Sequence, residues 1–303
     1  MAADLPVPGP EDRAGSIPTL SFLLVTYNSL TVLPGFIASL KQHPPVCDWE
    51  LIVVDNASND GAADYVATEF NRARIIRSDR NRGFAWGVNR AASDARGDYY
   101  CLVNPDIVWN GRAIDALMDR CGSNDRIGAV TPQLLSPDGR PQLSVRRFPT
   151  HRNIWMSRGV PWPRWLRRLL GPDTYTQMYP SEPVRIEAAA AACLLVRATA
   201  FRDVGGFDDA YFMYVEDTDF CRRLYDHGWE VWCDPTVTVQ HQWGQGSRRS
   251  RIQAAHHRAG IRRYFQTHHS DKPIRNAVLF LVLKLAGAFD WMYIRQDRGA
   301  RDV

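Results

Sequence analysis

Short apolar runs alternate with helix-spaced apolar residues through the first 135 positions, and this alternation limits the possible folds more than any other feature. The runs Phe22–Val25, Leu51–Val54 and Tyr99–Val103 lack the polar alternation of a half-exposed strand, as strands buried on both faces do. Between the runs, apolar residues recur at helical spacing over stretches of about 10–13 residues. The pattern predicts an α/β fold with a mainly parallel central sheet covered by helices on both faces.

Compact polar clusters follow three of these predicted strands. Because ligands of parallel sheets bind beyond the carboxyl ends of the strands, we expect the clusters to share one crevice. In chain order the clusters are Thr26-Tyr27-Asn28, Asp55-Asn56 and Asn104-Pro105-Asp106.

The composition excludes several classes of protein. With 45% hydrophobic and 23% charged residues, the 303-residue chain is neither disordered, nor collagen-like, nor a disulfide scaffold. A net charge of +4 is too small to indicate nucleic-acid binding, and we expect no nucleic-acid partner. The six cysteines form no C-x-x-C pair and lie mostly in apolar runs, which predicts buried free thiols, a reducing compartment and no zinc cluster.

The chain ends and one internal segment bear on its location. Residues 1–18 are rich in Pro and Gly and lack an apolar signal region, so we expect a flexible leader. No run reaches the roughly 18 apolar residues of a spanning helix, which favours a cytoplasmic protein. The basic, Trp-bearing segment Arg146–Arg168 and the apolar stretch Ala277–Phe289 favour peripheral contact with anionic lipid. Alternatively, they are a solvated basic face and a helix packed on the core.

Eight motifs occur in an order and at a spacing that resemble a known family over roughly residues 20 to 245. They are Val25-Thr26-Tyr27-Asn28, Val53 to Gly61, Asn81 to Ala85, Asn104-Pro105-Asp106, Val204 to Asp208, Tyr214 to Asp219, Gly228-Trp229, and Val239-Gln240-His241. The set resembles glycosyltransferase family 2, the inverting nucleotide-sugar transferases, and most of all its bacterial rhamnosyltransferase-like branch.

The resemblance implies a GT-A (Rossmann-like) fold: a mixed, mainly parallel central sheet flanked by helices, with a C-terminal helical extension. Residues 19–135 would form the nucleotide-sugar-binding half of this domain and residues 136–250 the acceptor-binding, catalytic half. Residues 251–303 would form a helical region that associates with the inner face of the membrane.

The resemblance also implies the residues that bind the donor. It places Tyr27 against the pyrimidine ring and Asp55 on the N–H edge of that ring, since a carboxylate accepts hydrogen bonds but donates none. Alternatively, Tyr27 is a core aromatic at a strand end, Asp55 caps a turn, and Asn81 with Gly83 forms a turn before a helix. The implied donor-binding residues are Thr26, Tyr27, Asn28, Asp55, Asn81, Gly83, Asn104 and Asp106.

Asn104-Pro105-Asp106 stands where most relatives carry Asp-x-Asp. By resemblance, Asp106 binds a divalent cation, Mn²⁺ or Mg²⁺, that neutralises the donor diphosphate. His241 would complete the metal shell, and an imidazole ligand favours Mn²⁺ slightly. Asn104 removes one charge from the usual pair, and its alternative role is a hydrogen bond to the ribose or the donor sugar. For His241 the alternative is a purely structural histidine.

Glu216 and Asp217 are the predicted catalytic centre. By resemblance Asp217 is the general base, with Glu216 as its orienter or substitute. Crowded carboxylates raise one pKa and prepare that group to accept a proton. The alternative is an acid-rich helix N-terminus, which the helix dipole favours. Both interpretations can hold together.

The expected activity is inverting transfer of one sugar, L-rhamnose from dTDP-rhamnose, to a glycan or a polyprenyl-diphosphate-linked acceptor in surface polysaccharide synthesis. The alternatives are another UDP- or dTDP-sugar donor, or a non-catalytic sugar-nucleotide binder. A dinucleotide oxidoreductase would need G-x-G-x-x-G in the first turn, and a nucleotidyltransferase would need a Gly-rich loop with a basic residue there. The chain has Thr26-Tyr27-Asn28-Ser29 at that place.

Overall fold

A computed structural model describes residues 19–157, 180–242 and 251–285 of the chain. The predicted leader, residues 1–18, lies outside the described residues, as do parts of the two segments expected to contact lipid. The strands are β1 (Leu20–Thr26), β2 (Trp49–Asp55), β3 (Arg74–Arg77), β4 (Tyr99–Val103), β5 (Ile107–Val108), β6 (Ile127–Leu135), β7 (Val145–Arg146), β8 (Val184–Ile186), β9 (Ala188–Ala189), β10 (Cys193–Arg197) and β11 (Glu230–His241).

Helices separate most of these strands, as the alternating pattern predicts. They are α1 (Leu33–Gln42), α2 (Ala62–Glu69), α3 (Phe84–Ala92), α4 (Ala113–Gly122), α5 (His151–Ser157), α6 (Ala198–Asp203), α7 (Glu216–Asp226), α8 (Arg251–His268) and α9 (residues 273–285).

One central sheet has the strand order β3-β2-β1-β4-β10-β6-β11-β5, and β8 pairs with β11. The ladders β3-β2-β1-β4 and β6-β11 are parallel, whereas β10 runs antiparallel between β4 and β6. The prediction of a mixed, mainly parallel sheet is therefore confirmed. In the register of β1 and β2, Thr26 lies beside Asp55, so two of the predicted polar strand ends meet.

Both faces of this sheet are buried, which explains why its strands read as continuous apolar runs. Along β1, Phe22 and Leu24 point to a core cluster beneath α1, α2 and α4, and Leu23 points to a second cluster beneath α3, α6 and α7. All six cysteines are free and buried, as predicted.

The C-terminal helices α8 and α9 pack on a third, smaller cluster. This cluster includes Val215, which directly precedes α7, together with Ile261, Phe265, Leu279 and other apolar residues. The expected C-terminal helical extension is therefore present in the described residues, and it docks on the domain. Over residues 19–157, 180–242 and 251–285, every helix is too short or too polar to cross a membrane.

The turn before α7 has an unusual backbone that α8 holds in place. Tyr214 and Val215 have φ angles of 71° and 74°, in the left-handed region that a β-branched residue rarely adopts. Gly260 of α8 lies against this turn, where an added Cβ would come within 2.6 Å of the Tyr214 carbonyl oxygen. A glycine at this helical position is therefore what lets α8 approach the turn.

Candidate active site

A cleft of about 660 Å³ opens at the carboxyl ends of β1, β2 and β4. This edge of the sheet is where the sequence predicts a shared crevice, and the volume is typical of a small-molecule site. Nine of the eleven predicted site residues line the cleft: Tyr27, Asn28, Asn81, Gly83, Asn104, Asp106, Glu216, Asp217 and His241.

Thr26 and Asp55, the remaining two, are buried together behind the cleft. The Thr26 hydroxyl donates to Asp55 Oδ1 at 3.0 Å, and the backbone N–H of Ser58 donates to Oδ2 at 3.1 Å. Asp55 thus makes the turn contacts of the alternative interpretation. Its neighbour Asn56 reaches the cleft lining instead. Contact of Asp55 with a nucleotide base stays a prediction.

Tyr27 is 50% exposed at the cleft, so the alternative of a core aromatic is wrong. Its loop is fixed to the loop after β2 through Asn28. The Asn28 N–H donates to Ser58 Oγ at 2.9 Å, and Asn28 Oδ1 accepts from the Asn59 N–H at 3.0 Å. These bonds hold the Tyr27 ring at the edge of the cleft, where a planar base could stack on it.

Asn81 and Gly83 form the predicted turn before α3 and also line the cleft. Asn81 Oδ1 accepts from the Gly83 N–H at 3.0 Å, and Asn56 Nδ2 donates to the Gly83 carbonyl at 2.9 Å. Gly83 has φ +90°, and a Cβ there would overlap the Phe212 carbonyl oxygen. The glycine is thus required by contact with the protein's own backbone. Contact of Gly83 with the donor stays a prediction.

The predicted metal ligands Asp106 and His241 lie next to each other in the wall of the cleft. His241 Nε2 lies 3.4 Å from Asp106 Oδ1, and both side chains are largely buried. In the part of the chain that the structure describes, no third His, Cys, Asp or Glu completes a cluster with them. Two protein ligands leave coordination positions for phosphate and water, as sites that hold a cation on a diphosphate require.

Gln142 selects the tautomer of the neutral His241 ring. Gln142 Nε2 donates to the His241 carbonyl at 2.8 Å, which turns Gln142 Oε1 toward His241 Nδ1, also at 2.8 Å. In the neutral imidazole, Nδ1 therefore carries the hydrogen and the Nε2 lone pair points toward the Asp106 carboxylate. Two acceptors in such proximity suit a cation between them, and an outer partner of this kind is typical of histidines that bind metals. The residues present therefore fit a divalent cation.

The two predicted catalytic carboxylates begin α7, so the helix N-terminus interpretation is also correct. Asp217 Oδ1 accepts from the backbone N–H and hydroxyl of Thr218, at 2.7 and 3.2 Å. Asp217 Oδ2 lies 3.3 Å from Arg146 Nη1. These three contacts fix the orientation of the Asp217 carboxylate at the cleft.

Glu216 differs sharply from its neighbour. Its Oε2 is buried without a hydrogen-bond partner in the described part of the chain, although Glu216 lines the cleft. Burial, with the adjacent Asp217 charge as the second cause, raises the pKa of Glu216 to about 8. At neutral pH this places a mostly protonated carboxyl beside Asp217.

Asp208 and Asp219, two further acids close to Glu216 and Asp217 in the sequence, contact α8. Asp208 pairs with Arg263 at 2.6 Å, and Asp219 contacts His268 at 2.8 Å and Arg223 at 2.9 Å. Burial opposes the charge of Asp219, but the contacts with His268 and Arg223 hold its pKa below the ordinary value. Neither aspartate lines the cleft.

Sequence reasoning missed the roles of Arg146 and Gln142. Arg146 is the first residue of the basic segment expected at a lipid surface, yet it lies in β7 and reaches the cleft. Nothing in the sequence around Gln142 marks it, since its partner His241 is 99 residues away in the chain.

The buried carboxyl makes a prediction about stability. We expect Glu216→Gln to raise Tm by several degrees at about pH 8 and to change it little at about pH 5. Between the ordinary glutamate pKa and about 8, the folded state keeps a proton that the unfolded state has lost. Wild-type stability therefore falls as pH rises through this window, and the amide removes that dependence.

Thermal unfolding of both proteins across this pH range measures the effect, with the exposed Glu182→Gln as control. A difference in Tm that does not grow with pH would show that Glu216 is not held protonated in the folded protein.

Comparison with known proteins places the chain among sugar transferases. The family model described as "Glycosyl transferase family 2" matches residues 21–193. An N-acetylglucosaminyl-diphospho-decaprenol L-rhamnosyltransferase of Mycobacterium tuberculosis is 32% identical over 264 residues, covering 79% of this chain and 82% of that protein. The rhamnosyltransferase WbbL of Escherichia coli K12 is 29% identical over 134 residues, covering 43% of this chain and 47% of WbbL.

Two solved structures share the fold at low sequence identity. The mannosyltransferase PcManGT from Pyrobaculum calidifontis, in complex with GDP-Man and Mn²⁺, has a TM-score of 0.57 and 15% identity, covering 90% of this chain and 76% of that one. GalNAc-T7 with UDP, GalNAc and Mn²⁺ has a TM-score of 0.58 and 16% identity over 83% of this chain, which spans 48% of that protein. The architecture is thus the GT-A fold that the sequence resemblance implied.

Proposed function

Because this chain belongs to glycosyl transferase family 2, we propose that it transfers L-rhamnose from dTDP-rhamnose, with inversion, to a lipid-linked glycan acceptor. The observation that carries the proposal is that Asp106 and Asp217, the predicted cation ligand and the predicted base, line one cleft. The choice of L-rhamnose is supported by the name of the M. tuberculosis relative, which specifies that sugar, and by the name of WbbL, which specifies rhamnose.

The donor would lie along the strand ends of the sheet. Tyr27 offers an exposed ring for stacking with the nucleotide base, and the amides of Asn28, Asn81 and Asn104 surround the adjoining part of the cleft. Both oxygens of Asp55 already accept hydrogen bonds from the protein. Asp55 would therefore accept a hydrogen bond from the base N–H only if the loop after β2 moves.

The diphosphate would lie near Asp106 and His241. A divalent cation held by these two side chains would supply positive charge next to the leaving diphosphate. The chain's own contribution is to hold the two ligands 3.4 Å apart, with Gln142 accepting a hydrogen bond from Nδ1 of His241 so that Nε2 of the neutral ring faces Asp106. Asn104, in place of an acid, keeps the site less negative and offers an amide to the ribose or the sugar.

Transfer would proceed as a single displacement at the anomeric carbon. The acceptor hydroxyl oxygen forms the new bond to C1, the bond from C1 to the diphosphate oxygen breaks with its electron pair, and Asp217 takes the hydroxyl proton. Thr218 and Arg146 orient the Asp217 carboxylate for this step. Glu216, protonated at neutral pH, adds no second negative charge to the site.

The acceptor we propose is a polyprenyl-diphosphate-linked saccharide, and the site of action the inner face of the cell membrane. The support is the name of the M. tuberculosis relative, which specifies a diphospho-decaprenol acceptor. The helices α8 and α9 are rich in Lys and Arg, which is compatible with an anionic membrane surface.

Thermal stabilisation by sugar nucleotides tests the donor. A ligand that binds only the folded state raises Tm, by an amount equivalent to about 2.7 kcal/mol at 100 times its Kd. We expect dTDP-rhamnose with Mn²⁺ to raise Tm more than UDP-glucose, UDP-GlcNAc or GDP-mannose, and more than dTDP-rhamnose with a chelator. A larger shift with another sugar nucleotide would replace rhamnose in the proposal, and no shift with any of them would overturn it.

A further inference from the structure

Helix α9 carries an exposed apolar stripe. Ile274, Val278, Leu281 and Leu285 are 80%, 45%, 57% and 52% exposed, large values for such side chains. Their spacing of four, three and four residues places them on one face, since successive helix positions turn by about 100°. An unbroken row of four exposed aliphatic side chains is the pattern of a surface that meets an apolar phase or partner.

The opposite face of α9 is anchored in the protein. Leu279 and Leu283 are buried in the third core cluster, and the Asn276 amide donates to the carbonyl oxygens of Phe265 and His269 in and after α8. The helix is therefore docked through one face, while the stripe is held outward. A helix that is apolar on both faces needs something to cover the second one.

Two cations border the stripe. Arg275 and Lys284 are both exposed, and helical geometry places them about 100° from the stripe, on opposite sides of it. Long basic side chains can extend along apolar surface and keep their charges at a polar boundary. An aliphatic strip between two such cations fits the surface of an anionic bilayer, where acyl chains lie beneath negatively charged headgroups.

The net charge of α8 and α9 indicates which kind of partner can cover the stripe. Residues 251–285 contain one acidic residue, Asp271, and seven basic ones: Arg251, Arg258, Arg262, Arg263, Lys272, Arg275 and Lys284. A twofold contact between two copies through the stripe would bring these like charges together. An anionic surface complements them instead.

We propose that the α9 stripe seats the protein on an anionic membrane surface. The inference rests on the proposed function in one respect, that the acceptor is attached to a membrane lipid. Val215, the residue before Glu216, packs in the same cluster as Leu279 and Leu283. If α9 lies on the bilayer, a single packed cluster separates the membrane surface from the carboxylates of the cleft.

Vesicle binding of the full-length chain tests this proposal without any sugar nucleotide. We expect the protein to co-sediment with vesicles of phosphatidylcholine mixed with phosphatidylglycerol, and more weakly with phosphatidylcholine alone. The triple variant I274Q/V278Q/L281Q should bind the anionic vesicles at least about tenfold more weakly. Gln keeps helix propensity close to that of Leu, and the three side chains are exposed, so Tm should hold.

Two control variants separate apolar from electrostatic contributions. Val46→Gln removes an apolar side chain that is 71% exposed outside the C-terminal helices, and it should leave binding unchanged. The double variant R275Q/K284Q should lose about thirtyfold on anionic vesicles and little on neutral ones, because each of the two cations near such a surface contributes about 1 kcal/mol.

Three results would overturn the proposal: no vesicle binding by the wild type, equal binding by the wild type and the triple variant, or a wild-type dimer that the triple variant abolishes. The last result would assign the stripe to a second copy of the chain. Since the assay contains no donor, its failure would leave the rhamnose proposal standing, and failure of the donor screen would leave this one standing.

Discussion

Replacing Asp217 with Asn is expected to lower kcat for sugar transfer by about 10²- to 10⁴-fold, the range that a positioned general base contributes. The amide keeps the shape of the side chain and its contacts with Thr218 but cannot take the proton of the acceptor hydroxyl. Donor affinity should stay within a few-fold, because the base acts on the acceptor. Initial rates at saturating substrates and calorimetric titration of the donor measure the two effects separately.

Glu216→Gln and Asp226→Asn are the matched controls for this result. If Glu216 is protonated at neutral pH, its amide variant resembles it and should keep most of the activity. Asp226 lies at the far end of the same helix, paired with Arg222, so its variant should be fully active. An active Asp217→Asn protein together with an inactive Glu216→Gln protein would move the base to Glu216, whose buried Oε2 faces no protein donor in the described residues.

Asp106→Ala is expected to weaken Mn²⁺-dependent donor binding by at least about tenfold. Loss of an outer-shell partner already costs 10- to 100-fold in metal affinity, and Asp106 would be a direct ligand. The change leaves His241 without the carboxylate that faces its Nε2 at 3.4 Å. Titration of Mn²⁺ in the presence of dTDP, and of the donor with and without Mn²⁺, measures the loss.

Gln142→Ala should give a smaller loss of Mn²⁺-dependent donor affinity, because Gln142 contacts the predicted ligand His241 and is not itself a predicted ligand of the cation. Asp64→Ala changes an exposed helix residue that pairs with Arg77, and it should leave donor affinity unchanged. Donor affinity that responds neither to Asp106→Ala nor to a chelator would exclude the cation role of this pair.

Residues that follow strands in the sequence were predictable as a group. A buried strand is recognisable in the sequence as an apolar run, and parallel strands bring their carboxyl ends to one edge of the sheet. The sequence alone therefore predicts that Asn28, Asn104 and Asp106 lie close together. The same logic did not reveal which side chains turn inward. Thr26 and Asp55 bond to each other behind the cleft, and only the register between β1 and β2 brings them side by side.

Partners that are distant in the chain could not be predicted. Arg146 and Asp217 are 71 residues apart, and Gln142 and His241 are 99 residues apart. Each pair meets because β7 and the loop before it fold over the cleft, and that placement depends on the packing of the whole sheet. Charge alone was misleading here. A run of arginines predicts a solvated or lipid-facing surface, and it does not show that Arg146 turns into the cleft.

The close fit of Gly260 against the turn before α7 has a practical consequence for anyone who modifies this enzyme. The helix pair whose outer face we assign to lipid is also the brace that keeps Tyr214 and Val215 in their costly left-handed geometry. Trimming the C-terminal helices to obtain a more tractable preparation would remove that brace from the turn that leads directly into the two carboxylates. Solubility is therefore better sought by changing the outward side chains of α9 one at a time, with the helix left in place.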